Sequence, residues 1–136
     1  MNATVVLDAS AVLAFLQGEP GADKVGDALK NSHCVVASAN QTEIISKALD
    51  RGLDRPTIEA ALTDLNYEVV DCTAQDGVQA GWMRTATRAL GLSLGDRLCL
   101  ATARRIQAQV LTADRPWTDA AKALKLRIHC IRPGKH

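Results

Sequence analysis

Short apolar runs rich in β-branched residues alternate along the chain with stretches whose apolar positions recur at helical spacing. The runs at 4–8, 34–37, 67–71, 109–112 and 127–131 read as strands, the last of them ended by Pro133 and Gly134. Between them, 9–17 reads as a helix closed by Gly18, and Pro20 as an early residue of a second helix with Val25, Ala28 and Leu29 on its inner face. A third helix spans 38–49, with Ile44, Ile45, Ala48 and Leu49 at turn spacing. A fourth, capped by Asp54, sets Ile58, Ala61, Leu62 and Leu65 towards the core. The spacing then predicts one long helix over 74–90 ended by Gly91, despite Gly77 and Gly81 within it. A helix opened by Leu94, Gly95 and Asp96 precedes the fourth strand, and 113–125 reads as the last helix. Strands buried on both faces that alternate with helices are βαβ units. The expected fold is therefore a three-layer α/β/α sandwich around a parallel sheet.

Composition narrows the possibilities. A length of 136 residues suits one domain over 1–136 with a core that needs no disulfide staples. The cysteines Cys34, Cys72, Cys99 and Cys130 form no CxxC pair and are expected to be reduced. The histidines His33, His129 and His136 show no ligand spacing, which argues against zinc. No apolar run is long enough to span a bilayer, so a cytoplasmic protein with no membrane partner is expected. With only Phe15, Tyr67, Trp82 and Trp117 as aromatics, an aromatic sheet that reads single-stranded RNA by stacking is not expected. The net charge of +1 hides a mildly basic remainder once four acids are set aside for one site.

Those four are Asp8, Glu43, Asp96 and Asp114. Ligands of an open parallel sheet bind beyond the carboxyl ends of its strands. Asp8 ends the first strand, Asp114 follows the fourth, and Glu43 lies early in the helix after the second. Asp96 reaches the same edge because the segment from Gly91 to Gly95 returns the chain there. Two carboxylates about 5 Å apart repel by roughly 3 kcal/mol at an effective dielectric near 20, so such a cluster needs a cation or shared protons. Oxygen donors alone select Mg²⁺, with Mn²⁺ as a substitute, and that chemistry suits phosphodiester hydrolysis. Ser10 and Thr112 are placed to orient carboxylates or water. Arg97 and Arg115, each next to a cluster acid, are placed as rim contacts for a nucleic-acid backbone. Taken singly, each acid has a plainer reading: Asp114 as a cap, Asp96 as a dipole partner, Glu43 as a solvated face residue. Asp76, with Asp27, Asp50, Glu59 and Asp64, reads as a solvated helix residue, and Asp119 as an early helix residue. Asp71, at the end of the third strand, reads as a polar cap or an outer residue of the cleft.

The blocks Val6-Leu7-Asp8-Ala9-Ser10-Ala11, Leu94-Gly95-Asp96-Arg97-Leu98 and Leu111-Thr112-Ala113-Asp114-Arg115-Pro116-Trp117, with Glu43 between the first two, resemble the PIN-domain family and its VapC-type toxins over nearly the full length. The resemblance implies a Mg²⁺-dependent endoribonuclease that cuts transfer or ribosomal RNA. It also implies a homodimer held inactive by a cognate antitoxin. It makes Asp8 and Asp96 the principal metal ligands, with Glu43 and Asp114 completing the quartet. An amphipathic antitoxin helix would find apolar residues at Phe15, Leu16, Leu49 and Leu53.

Three other classes share parts of this pattern. A haloacid-dehalogenase-like, metal-dependent phosphatase wants a second Asp where this chain has Ser10. A phospho-acceptor receiver domain would use Asp71 and an acidic pair where the chain has Leu7-Asp8. A binding module would grip a basic peptide without chemistry.

Overall fold

The computed structural model describes residues 3–133, so Gly134 and His136 lie outside it. Five parallel strands form one sheet in the order β3-β2-β1-β4-β5, where β1 is Thr4–Leu7, β2 His33–Ala37, β3 Tyr67–Val70, β4 Gln109–Thr112 and β5 Ile128–Cys130. In register, Val6 lies beside Val35 on one side and Val110 on the other.

Alternate side chains of the central strands feed two separate cores. Val5, Leu7, Cys34 and Val36 point to one face, under α1 (Ala9–Leu16), α2 (Ala22–Asn31) and α3 (Ser38–Asp50). Leu62 and Leu65, in and just after α4 (Arg55–Thr63), close its margin. Val6, Val35 and Val110 point to the other face. It is covered by α5 (Ala74–Trp82), α6 (Arg84–Thr87), α7 (Leu94–Arg105), the 3-10 turn Arg115–Ala120 and α8 (Ala121–Leu124). The expected three layers are present, and the double burial explains why these strands read as unbroken apolar runs. Asp54 caps α4 through the Thr57 amide at 2.9 Å, as its position before Arg55-Pro56 predicts. The four cysteines are free thiols.

Three segments differ from expectation. The helix over 74–90 is broken into α5, α6 and a 3-10 turn, Arg88–Leu90, before Gly91 ends it at φ 71°. Gly77 and Gly81 weaken the first part. Further on, the Thr87 hydroxyl donates to the Met83 carbonyl at 2.8 Å, competing with the helical ladder. The last expected helix is mostly the 3-10 turn Arg115–Ala120, where Pro116 removes a donor and the buried Trp117 anchors the tight winding. Pro20 stands in a turn rather than in a helix, and Gly21 stands at the N-cap of α2, at φ 95°. A Cβ at Gly21 would lie 2.6 Å from the Ile131 carbonyl oxygen, so the residue supplies both the left-handed backbone and the room for the last strand's exit.

Candidate active site

The strand order reverses direction between β1 and β4, which opens a crevice at their carboxyl ends. Asp8 follows β1 directly. Its amide donates to the Leu111 carbonyl at 3.1 Å, while its side chain caps α1 by accepting from the Ala11 amide at 2.8 Å. Two hydroxyls complete the cradle. Ser10 donates to Oδ1 at 2.8 Å and approaches Oδ2 at 2.9 Å, and Thr112 donates to Oδ2 at 2.6 Å. Ser10 and Thr112 both contact Asp8. Thr112 also accepts from the Asp114 amide at 3.0 Å, and Ser10 from the Ala113 amide at 2.9 Å, tying the start of α1 to the turn after β4.

Glu43 comes from α3. Asn40, one turn earlier, donates to Glu43 Oε1 at 2.7 Å and to the Gly95 carbonyl at 3.1 Å, so one amide group clamps the carboxylate to the start of α7. Asp96 is the third residue of α7 and forms a capping box with Ser93. The Ser93 amide donates to Asp96 Oδ2 at 2.9 Å, and the Asp96 amide donates to Ser93 Oγ at 3.2 Å. Asp96 Oδ1 takes no part in that box. Asp114 is exposed and makes no side-chain cap to the turn that follows.

All four acids line one cleft of about 330 Å³, together with Ser10, Lys47, Ser93 and Trp117. Lys47 and Ser93 escaped the sequence reading. Lys47 lies one turn beyond Glu43 on the same helix face, and Ser93 stands three residues before Asp96 in a capping-box pattern; both spacings were available signals.

The electrostatics are those of an uncompensated negative site. Burial pushes the Asp8 carboxyl up from 3.8 to about 7, with the charge of Asp96 adding to the rise against the hydrogen bonds from Thr112, Ala11 and Ser10. Beneath the cleft, burial raises the Cys99 thiol well above its ordinary value, and the charges of Asp8, Asp96 and Glu43 raise it further. Among the described residues, no three His, Cys, Asp or Glu side chains stand close enough to enclose an ion as they are set here. The donor set nevertheless fits a hard divalent cation: oxygen donors only, one of them a buried carboxyl short of positive charge.

Two expected rim contacts fall elsewhere. Arg97 turns away from the cleft, and its Nη1 donates to the Ala80 carbonyl of α5 at 3.0 Å, because neighbouring residues on a helix diverge by about 100°. Arg115 is exposed and donates to the Pro133 carbonyl at 2.6 Å, bracing the C-terminal segment rather than lining the cleft. Asp76 also departs from the solvated face expected of it. It is 1% exposed, forms a capping box with Thr73, and accepts from Arg105 Nε at 2.9 Å and from Thr102.

The PIN domain family profile matches residues 5–123. No curated protein matches the chain in sequence. Among solved structures, the chain superposes on VapBC2 from Rickettsia felis bound to a promoter DNA fragment with a TM-score of 0.70 at 16% identity, covering 93% of this chain and 98% of that one. A toxin–antitoxin complex from Klebsiella pneumoniae gives 0.70 at 14% identity, with 96% and 99% covered. The sarcin-ricin-loop-cleaving toxin VapC20 of Mycobacterium tuberculosis gives 0.65 at 17% identity, with 87% and 94% covered. Profile and fold agree, and the chain belongs to the PIN-domain family.

Proposed function

We propose that this protein is a divalent-metal-dependent endoribonuclease of the VapC toxin type, using Mg²⁺ or Mn²⁺ and neutralised by a cognate antitoxin. The observation that carries this reading is the convergence of Asp8, Glu43, Asp96 and Asp114 on one cleft at the sheet's switch point, with the Asp8 charge left uncompensated.

Asp8 and Asp96 Oδ1 would hold the ion, and Glu43 and Asp114 would complete its shell or orient water. The ion supplies charge stabilisation for the phosphoryl oxygens and a more acidic water. Ser10 and Thr112 fix both oxygens of Asp8, so its carboxylate cannot swing on ion binding. Lys47, the only cationic side chain among the described residues that line the cleft, meets a non-bridging phosphate oxygen. RNA as substrate is supported by the name of the sarcin-ricin-loop-cleaving relative.

An antitoxin partner is supported by relatives described as toxin–antitoxin complexes and by a groove of about 330 Å³ between α3 and α4 that includes Ile45, Leu49, Ile58 and Leu62. Leu16, Leu49 and Leu53 are exposed as such a helix would require. Phe15 instead packs into the core and borders a separate cleft with Leu29 and Leu65. A homodimer belongs to the same reading, and sedimentation of the isolated chain tests it. The receiver alternative is disfavoured because Asp71 is exposed and does not line the cleft.

The test is cleavage of total cellular RNA by the isolated protein. Cutting is expected with Mg²⁺ or Mn²⁺, and loss of cutting with chelator, Asp8→Asn or Asp96→Asn. Cutting that persists in either variant overturns the site, and phosphate release from small phosphomonoesters without RNA scission would favour the phosphatase.

A further inference from the structure

The sheet separates two layers of opposite charge. Residues 1–73, up to the start of α5, carry eleven acidic and five basic side chains, net −6, whereas residues 74–136 carry four acidic and eleven basic, net +7. Helices α1 to α4 belong to the first set and pack on one face; every helix from α5 onward packs on the other. Of the four acids in the basic set, Asp76 is buried against Arg105, and Asp96 and Asp114 line the catalytic cleft, which leaves Asp119 alone on the remaining surface of that layer.

On this basic layer two clefts meet at Arg104. One, of about 280 Å³, runs past Trp82, Thr85 and Leu124; the other, of about 410 Å³, runs past Lys125 and Arg127. No acid lines either. Arg104 is held at their junction by hydrogen bonds to Gln79 Oε1 at 2.9 Å and to the Leu124 carbonyl at 3.4 Å. Trp82, at the foot of α5, is 76% exposed, more than any other large apolar side chain described. From there the chain climbs back to Ser93 at the catalytic cleft. On that climb Arg84 and Arg88 are exposed, and no acid occurs between Gly77 and Gly95. Along α7, Arg104 lies about 12 Å from Asp96. An exposed indole among arginines, linked along the chain by the exposed Arg84 and Arg88 to Ser93 at an acidic cleft, has the makeup of a single-strand track: cations for phosphates and a flat ring for a base.

We propose that the outer face of this layer, centred on Trp82 and Arg104, binds the single-stranded part of the RNA substrate running on from the catalytic cleft, with one base stacked on Trp82. The proposal rests on the nuclease reading for the identity of the strand. A second copy of the chain fits less well, because two such faces would bring like charges together. The aromatic sheet excluded by composition is not needed, since one ring at the end of a cationic path is a different device.

Binding of a short labelled oligouridine is measured in chelator, where no cutting occurs, alongside cleavage kinetics with Mg²⁺. Trp82→Ala should weaken binding about tenfold and Trp82→Tyr far less, with the same ordering in KM and little change in kcat. Arg84→Gln and Arg88→Gln should each lower the salt slope of binding by about 0.7, while Lys24→Gln and Lys30→Gln on the acidic layer leave it unchanged. A protein that cuts RNA with the same KM in Trp82→Ala overturns this proposal and leaves the nuclease standing. Oligouridine bound through Trp82 by a protein that cuts no RNA upholds the face and overturns the nuclease. Unchanged binding, with Trp82→Ala converting a larger species to a smaller one on sedimentation, would assign the face to a second copy and overturn the proposal.

Discussion

Gly95 donates no side-chain atom to the site, yet a Cβ there would lie 2.7 Å from Glu43 Oε1 and 2.8 Å from its Cδ. The flexible carboxylate would yield before the helix did. Gly95→Ala should therefore change stability by no more than about 1 kcal/mol, the ordinary helical gain of Ala over Gly being set against strain in the Asn40–Glu43 hydrogen bond. Cleavage should fall about a hundredfold as Glu43 shifts, and melting beside single-turnover kinetics checks both. Asn40→Ala removes the clamp on Glu43 and on the Gly95 carbonyl, so it should lower both stability, by roughly 1–3 kcal/mol, and activity. Asp8 makes a prediction about pH. Its carboxyl titrates near 7 in the fold against 3.8 ordinarily, so between those values the native state keeps a proton that the unfolded chain has lost. The contribution is greatest below 3.8, declines by up to about 1.4 kcal/mol per pH unit as pH rises, and is fully lost above 7. Metal-free protein should melt at lower temperature at pH 8 than at pH 5, and Asp8→Asn should remove that part of the decline. The acids themselves were legible because strand ends and helix starts fall on one edge. Lys47 and Ser93 had signals in their spacing from Glu43 and Asp96, whereas Asn40 did not declare itself, since its importance lies in the Gly95 carbonyl that it reaches across the fold.

Elements were legible wherever one strong signal governed them. Apolar, β-branched runs gave away the five strands, unbroken in β1 and interrupted by Glu68 in β3 and His129 in β5, and Asp54 and Gly91 marked helix ends correctly. Long-range packing decided the rest. Gly77 and Gly81 weaken the helix over 74–90 without saying where it breaks; the burial of Met83 and Thr87 goes with the break just after Trp82. Asp76 was misread for the same reason, because its helix spacing carries no trace of Arg105 on α7. That pair joins α5 to α7, the helix that carries Asp96. Burial works against the Asp76 charge, but Arg105, the Thr73 amide and Thr102 outweigh it and hold the carboxyl below its ordinary value. Its contribution is present above the unfolded value of 3.8 and is lost as pH falls through the lower folded one. Arg105→Ala would strand a carboxylate whose side chain is 2% exposed, and should cost about 2 kcal/mol or more in denaturant unfolding. Adding Asp76→Ala to that variant should recover part of the loss. If the double variant is no more stable than Arg105→Ala, the pair is not the link between the helices.

At the scale of the molecule, the order β3-β2-β1-β4-β5 determines where chemistry is possible, since only between β1 and β4 do successive connections leave in opposite directions. The alternation of elements predicts that such a crevice exists but not which strands flank it. Asp8 and Asp114 identify them only once β1 and β4 are known to be neighbours. An ion bound there favours the native state alone. Saturating Mg²⁺, at about a hundred times its dissociation constant, should add about 2.7 kcal/mol to stability, and neither Asp8→Asn nor Asp96→Asn should gain as much. Equal gains in both variants would place the ion elsewhere. The capping box at Ser93 and Asp96 has a consequence for how the protein fails. One oxygen of Asp96 is occupied in holding the first turn of α7, so an event as small as fraying of that turn would displace the carboxylate proposed to hold the ion while both cores are still closed. Warming should then extinguish activity several degrees before the fold melts, and cooling should restore it.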